Sequence, residues 1–477
     1  MVKGKKQQLK QPLIQEQQLT KMQGIVSEQF YKYKYYQLFI MRIMINSIYT
    51  YVIIGVACMG SLGFLSCGKK ASAQRNTQPP PVKRLSDTSM MIGIYVAPPF
   101  AYTSVANYQQ IKDANVDFIQ DISGQESAGN KLTMLNMANS VGLKIIVADN
   151  RMDGTDAQIV SMVDTYKTHP AVIGYYIKDE PTVSQLNDAA IRYKKVLNYD
   201  STKAPHVNLL SSYATGALGN IDYENDYVKK WINMVGPTKL KYISMDNYPF
   251  LANGQFQQDP YYYSLDVIRR LGLQYHIKTS AYMQSIGGGA NNLRRPNANE
   301  LRFSAYSILA YGIKIPVWFT YWTPAAGAET FTNAIVDPAG GITDLYNPFQ
   351  ILNGELRKVG KTLVKLDAMA VYHSGTTLPV GAETIPASFM VKPVDAAANI
   401  IMTYFVNPAD GKKYVMVVNK SLTAGLNATF STDNTITNVQ SISKTTGDAA
   451  ATDFNSATHQ LSASFLPGEG ILFTLTM

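Results

Sequence analysis

An α/β chain is predicted: a (β/α)8 TIM barrel over residues 90–369, followed by a small antiparallel β-sandwich over residues 370–477. Three observations predict it. From residue 90 to about 370, short apolar runs alternate with longer amphipathic stretches, the pattern of repeated βα units. The first run closes in Ala97-Pro98-Pro99-Phe100, without the glycines that an open doubly wound sheet favours after its first strand. Beyond residue 370 the helical stretches stop, and short β-rich segments follow one another between turns, as in a sandwich.

The chain opens with an extension and signal, residues 1–67. Residues 42–67 hold one basic residue, Arg42, then an apolar core, then small residues before Cys67. That is the layout of a secretory signal. Phe64-Leu65-Ser66-Cys67 resembles a loose bacterial lipoprotein box, which implies lipidation of Cys67; an uncleaved membrane anchor is the alternative. Both put the remainder outside the cytoplasm. The expectation is a cell-envelope, outer-membrane lipoprotein, facing the periplasm or the surface and held to the membrane by its lipid anchor. Residues 1–40, rich in Gln, Lys and Tyr, are assigned no function. Residues 68–89, with Pro79-Pro80-Pro81, read as a polar tether.

Eight strands are expected at 91–97, 116–122, 144–149, 172–178, 206–211, 241–247, 279–285 and 315–321. Helical stretches between them include Asp188–Leu197 and Asn299–Tyr311; Gly312 stops the second just before a strand. A last helix follows at about 347–366. Eight units over about 280 residues match the usual span of a barrel. The sandwich segments are 399–406, 413–419, 426–430, 436–443 and 470–476, with turns at Pro408–Gly411 and Pro467–Gly470. They carry no catalytic constellation and read as a brace for the barrel.

Composition narrows the chemistry. Residues 1–67 carry eight Lys/Arg against two Asp/Glu, so the net +9 leaves only +3 for residues 68–477. The basic excess therefore gives no argument for a nucleic-acid partner. Cys58 and Cys67 are the only cysteines, which removes thiol nucleophiles and Cys-based zinc sites from the mature chain. The five histidines lie far apart and form no His-x-x-x-His pair. No metal and no cofactor are expected, and carboxylate chemistry is what remains.

A barrel places its chemistry at the C-terminal ends of its strands. Those ends hold Asp121, Asn150, Asp179-Glu180, Asp246, Tyr248, Gln284 and Tyr321-Trp322. Aromatic faces stack on sugar rings, while amides and carboxylates bond to hydroxyls, so Asp121, Asn150, Tyr248, Gln284, Tyr321 and Trp322 are expected to bind a carbohydrate. Gly287-Gly288-Gly289 beside Arg294-Arg295 hints at a phosphate site but reads better as a flexible loop. In strand four, Gly174, Tyr176, Lys178 and Glu180 share one face, and Ile173, Tyr175, Ile177 and Asp179 the other. A regular strand would turn Glu180 inward and Asp179 outward. Glu180 is then the candidate proton donor to a leaving glycosidic oxygen, a role that needs a raised pKa.

His169–Pro181, Met245-Asp246-Asn247-Tyr248-Pro249-Phe250 and Ala310–Trp322 resemble the barrel glycoside hydrolases of clan A, and more narrowly the β-galactosidase-like lipoproteins of Bacteroidetes type. Val415–Ser421 and Leu466–Phe473 resemble the sandwich that often follows such barrels. The resemblance implies that Glu180 is the acid/base. It also implies a nucleophilic Glu at the end of strand seven, where Gln284 stands instead; an amide cannot form the glycosyl ester. Three alternatives follow. Asp246 is the second carboxylate, about 5–5.5 Å from Glu180 for retention or about 6.5–9.5 Å for inversion. Or Asp179 orients a substrate acetamido group that supplies the nucleophile. Or the barrel binds glycans without cleaving them.

Overall fold

The computed structural model describes residues 89–327 and 329–477. The extension, the signal, Cys67 and all but the last residue of the tether lie outside the described residues. Among the described residues no helix is long and apolar enough to cross a membrane.

Eight parallel strands form the barrel: β1 Gly93–Tyr95, β2 Phe118–Gln120, β3 Lys144–Val147, β4 Val172–Asp179, β5 Ala204–Asn208, β6 Ile243–Met245, β7 Thr279–Gln284 and β8 Ile315–Phe319. Their order is β5-β4-β3-β2-β1-β8-β7-β6. A parallel bridge between Leu209 and Met245 brings the two ends together, with the Leu209 N–H donating to the Ser244 carbonyl at 2.8 Å. Strand β5 starts at Ala204, ahead of the expected 206. It pairs there with Gly174 of β4, at an approach so close that a Cβ on Gly174 would stand 2.2 Å from the Ala204 carbonyl oxygen.

The principal helices are α1 Val105–Asp113, α2 Ala128–Ser140, α3 Asp156–Tyr166, α4 Leu186–Tyr199, α5 Lys229–Val235, α6 Gln258–Tyr275, α7 Ala298–Ala310 and α8 Tyr346–Leu363. Polar side chains start several of them. Thr155 with Gln158, and Asn297 with Glu300, form reciprocal caps at α3 and α7, which satisfy N–H groups the helix leaves open. Apolar residues on the outer strand faces, among them Ile94, Ile177, Met245 and Trp318, are buried in one core with the helices. Phe118, Ile146, Tyr242, Ile315 and Val317 fill the interior. Burying each such large side chain contributes about 1.5–3 kcal/mol.

Strand β4 departs from regularity in a way that matters for the site. Its pairing with β5 slips between Tyr176 and Lys178, leaving Ile177 as an extra residue. A bulge of this kind reverses the alternation beyond it. Asp179 therefore turns inward, against the outward orientation expected from a regular strand.

The C-terminal segment forms two sheets, as the sequence predicts. The seven-stranded sheet includes β9 Asp367–His373, β12 Ile400–Val406, β13 Lys413–Asn419, β15 Asn438–Ile442 and β19 Gly470–Thr476, with β10 Glu383–Thr384 and β16 Ala449–Ala451 at its edges. The second holds β11 Val391–Pro393, β14 Leu426–Thr432, β17 Asp453–Asn455 and β18 Gln460–Phe465. Period-2 alternation divides β12: Ile400 and Met402 enter the sandwich core, whereas Ile401 and Phe405 join the barrel's. The sandwich packs on α7, where Arg302 donates to the Pro467 carbonyl at 2.8 Å. The described residues accordingly form one compact unit.

Candidate active site

The C-terminal ends of β4, β5 and β6 bring three carboxyl groups together. Tyr95 Oη donates to Asp179 Oδ2 at 3.1 Å. Asn208, at the end of β5, donates to Asp246 Oδ1 at 3.4 Å, and its own carbonyl oxygen accepts the Glu180 N–H at 2.9 Å. Glu180 has φ 42°, a left-handed conformation that costs a non-glycine residue of order 1–3 kcal/mol. The turn is held from below: Tyr227 Oη donates to the Pro181 carbonyl at 2.6 Å. Strain thus accumulates at Glu180.

Asp246 is 3% exposed, and its carboxyl group is hydrogen-bonded to that of Glu180. Burial holds Asp246 well above the ordinary carboxylate range, and the neighbouring charges of Glu180 and Asp179 add to this. Glu180 is also raised, by burial and then by the Asp179 charge, although the hydrogen bond with Asp246 opposes the shift. Two carboxyls so placed titrate as a pair that shares a proton. Burial also raises Asp179, with Tyr176, Tyr95 and Asn208 hydrogen bonds and then the Lys178 charge pulling it back. The Lys178 charge, which alternation put on the Glu180 face, therefore acts on Asp179.

Above the pair lies a cavity of about 360 Å3, within the range of small-molecule sites. Tyr95, Tyr248, Tyr282, Phe319 and Phe331 supply its aromatic wall; Tyr248 and Phe319 rings stand 4.9 Å apart. Its polar wall is Asp179, Glu180, Asn208, Asn291 and Glu329. No Lys, Arg or His lines it among the described residues. Beneath Tyr282, His206 bonds to Tyr242 Oη at 2.7 Å and to Tyr282 Oη at 3.1 Å. Burial pushes this imidazole down to about 3, so it is a neutral strut.

Of the residues expected to bind substrate, Tyr248 alone reaches the cavity. Asp121 is consumed by a buried ion pair with Lys131 at 2.8 Å. Asn150 sits on the loop after β3 and donates to Gln125 at 2.8 Å. Tyr321 turns outward onto Phe349 of α8, with ring centroids 6.0 Å apart, and Trp322 packs on Tyr102 at 5.1 Å. Gln284 is fully buried. Its amide nitrogen donates to the carbonyls of Phe250 (3.0 Å), Ile286 (3.3 Å) and Arg294 (2.7 Å), and its oxygen accepts the Phe250 N–H at 3.0 Å.

The Gly287–Gly289 segment, expected to be a flexible loop, is closely packed and hydrogen-bonded to its neighbours. Gly288 (φ 91°) packs so closely on the loop after β8 that a Cβ would lie 2.4 Å from the Thr330 carbonyl oxygen. The phosphate hint also dissolves: Arg294 pairs with Glu300 and Arg295 with Asp344, each at 2.6 Å. Among the described residues no group of three or more His, Cys, Asp or Glu side chains is arranged to hold a metal. Sequence reasoning missed Tyr95, Asn208, Tyr282, Phe319, Glu329 and Phe331. Alternation could have found Asn208 (two past His206) and Tyr282 (two before Gln284); Glu329 and Phe331 lie in an irregular loop with no such signal.

No family model matches the chain, and no curated protein matches it. Solved structures do. It is similar to the β-galactosidase from Bacillus circulans sp. alkalophilus, with a TM-score of 0.53 and 8% identity over 82% of this chain and 99% of that one. A family 39 glycoside hydrolase from the gut symbiont Bacteroides cellulosilyticus WH2 gives 0.47 and 10%, over 83% and 82%. The β-galactosidase from the psychrophilic Marinomonas ef1 gives 0.45 and 11%, over 58% of this chain. The chain spans only 62% of that enzyme's length. The likeness is one of fold alone, that of a TIM barrel.

Proposed function

We propose that this chain is a glycoside hydrolase in which Glu180 protonates the leaving glycosidic oxygen. The hydrogen-bonded Glu180–Asp246 pair, at the floor of an aromatic-walled cavity, carries this reading. Desolvation and a second acid keep a proton there at pH values where an exposed Glu has lost its own. Asp246 acts through Glu180, since no part of it lines the cavity. Asp179, oriented by Tyr95, accepts a hydrogen bond from the bound sugar. Its inward position also supports a second reading, in which it orients a substrate 2-acetamido group.

Three carboxyl groups and no cation on the cavity wall favour neutral or amino sugars over uronates and sulfated sugars. A panel of neutral, N-acetylated, uronic and sulfated oligosaccharides tests both points, with released reducing ends as the readout. Cleavage of neutral members alone is the expected result. Turnover confined to N-acetylated members favours the acetamido reading, and binding without cleavage of any member sinks the hydrolase. We further propose anchorage at the envelope through Cys67, which rests on residues 42–67 alone. Membrane association unchanged in a Cys67→Ser variant would contradict it.

A further inference from the structure

Glycoside hydrolysis by two carboxyl groups needs a partner for the acid Glu180. Asp246 is buried and does not line the cavity, Gln284 is a neutral amide spent on backbone groups, and Asp179 adjoins Glu180 in the chain. Glu329 remains. It lies in the loop after β8, and in the ring of eight strands β8 is four strands from β4 in either direction. Glu180 and Glu329 thus both line the same cavity, on loops that follow distant strands.

Glu329 is held there. The Ala290 N–H donates to its Oε1 at 2.9 Å, and among the described residues its Oε2 has no hydrogen-bond partner. The two loops are stitched together: the Gly289 N–H donates to the Thr330 carbonyl, and the Thr332 N–H to that of Gly287, each at 2.9 Å. Gln284 holds the far side of the same loop at Arg294. The charge of Glu329 also reaches Glu180, where it adds to the upward shift. No lysine or arginine pairs with it among the described residues.

Resting on Glu180 as the acid, we infer that Glu329 is the second catalytic carboxylate, the base that activates water, and that hydrolysis inverts the anomeric centre. The sugar lies between the two carboxyls. Glu329 Oε2 takes a proton from water as the water oxygen bonds to the anomeric carbon. The bond from that carbon to the leaving oxygen breaks, and the leaving oxygen receives the proton of the Glu180–Asp246 pair. An inverting pair needs about 6.5–9.5 Å between its carboxyls, the room for that water.

The test uses the full chain and 4-nitrophenyl β-glycosides of galactose, glucose, fucose and N-acetylglucosamine, with a methyl β-glycoside of the sugar cleaved fastest. Proton NMR of the first product is expected to show the α-anomer. Glu329→Gln is expected to lower kcat about 10²–10⁴-fold on the aryl and methyl glycosides alike, with KM little changed and circular dichroism unaltered. For Glu329→Ala, added azide is expected to restore turnover and give the α-glycosyl azide. A β-anomer product, or a Glu329→Gln enzyme within about threefold of the parent, overturns the inference. If Glu180→Gln is inactive on the methyl glycoside while Glu329→Gln is not, this inference fails alone. A parent that cleaves no member removes it together with the hydrolase reading.

Discussion

Replacing Glu180 by Gln is expected to lower turnover of unactivated oligosaccharides by about 10²–10⁴-fold, the usual share of general acid catalysis, and to leave sugar affinity nearly intact. The amide keeps the size of the side chain and can still bond to Asp246, so the cavity persists. What disappears is the transferable proton. The sign of the pH dependence follows from the same pair. Both carboxyls are raised, so the proton needed for catalysis is lost only above the ordinary carboxylate range, and kcat falls as pH rises through that upper titration. Asp246→Asn leaves Glu180 as a single carboxyl and so removes the upper titration of the pair. Its alkaline limb is therefore expected at lower pH than the parent's. Turnover of Glu180→Gln equal to the parent's, or an Asp246→Asn limb moved upward, would count against the pair.

Gln284→Glu is expected to destabilise the protein by about 3–5 kcal/mol at neutral pH, the cost of an uncompensated buried charge, and to create no retaining glycosidase. Three carbonyl oxygens surround the amide nitrogen of Gln284, and a carboxylate there would face all three without a donor. The effect has a direction in pH. Burial raises the introduced group above its unfolded value, so the folded state binds the proton more tightly, and stability falls as pH rises through that window. Denaturant unfolding at acid and neutral pH measures it. A stable variant with higher activity and a retained anomeric configuration would mean that strand seven presents its side chain to the substrate after all.

Much of the barrel was legible because each of its strands is an apolar run closed by polar or turn residues. The sandwich was only half legible: Glu383–Thr384, Ala449–Ala451 and Asp453–Asn455 are short and largely exposed, so they carry no alternation to read. The site divided along similar lines. Glu180 and Tyr248 follow from counting strands to their ends. Asp179 was misdirected by one extra residue, Ile177, which no rule of alternation announces. Asp121, Gln284, Tyr321 and Trp322 stand at strand ends too, but local partners take them: Lys131 for Asp121, backbone carbonyls for Gln284, and the rings of Phe349 and Tyr102 for the two aromatics. Strand-end position alone does not distinguish a side chain that meets substrate from one that braces the rim.

The central claim is that Glu180 hands a proton to the leaving group, and its most direct measurement is the dependence of kcat/KM on leaving-group pKa, in the parent and in Glu180→Gln. Aryl groups that leave without a proton should be released by the variant at nearly the parent's rate. Alkyl and sugar groups should be almost unreleased, which gives the variant the much steeper slope. Parallel slopes for the two proteins would contradict the account, because the proton would then come from elsewhere.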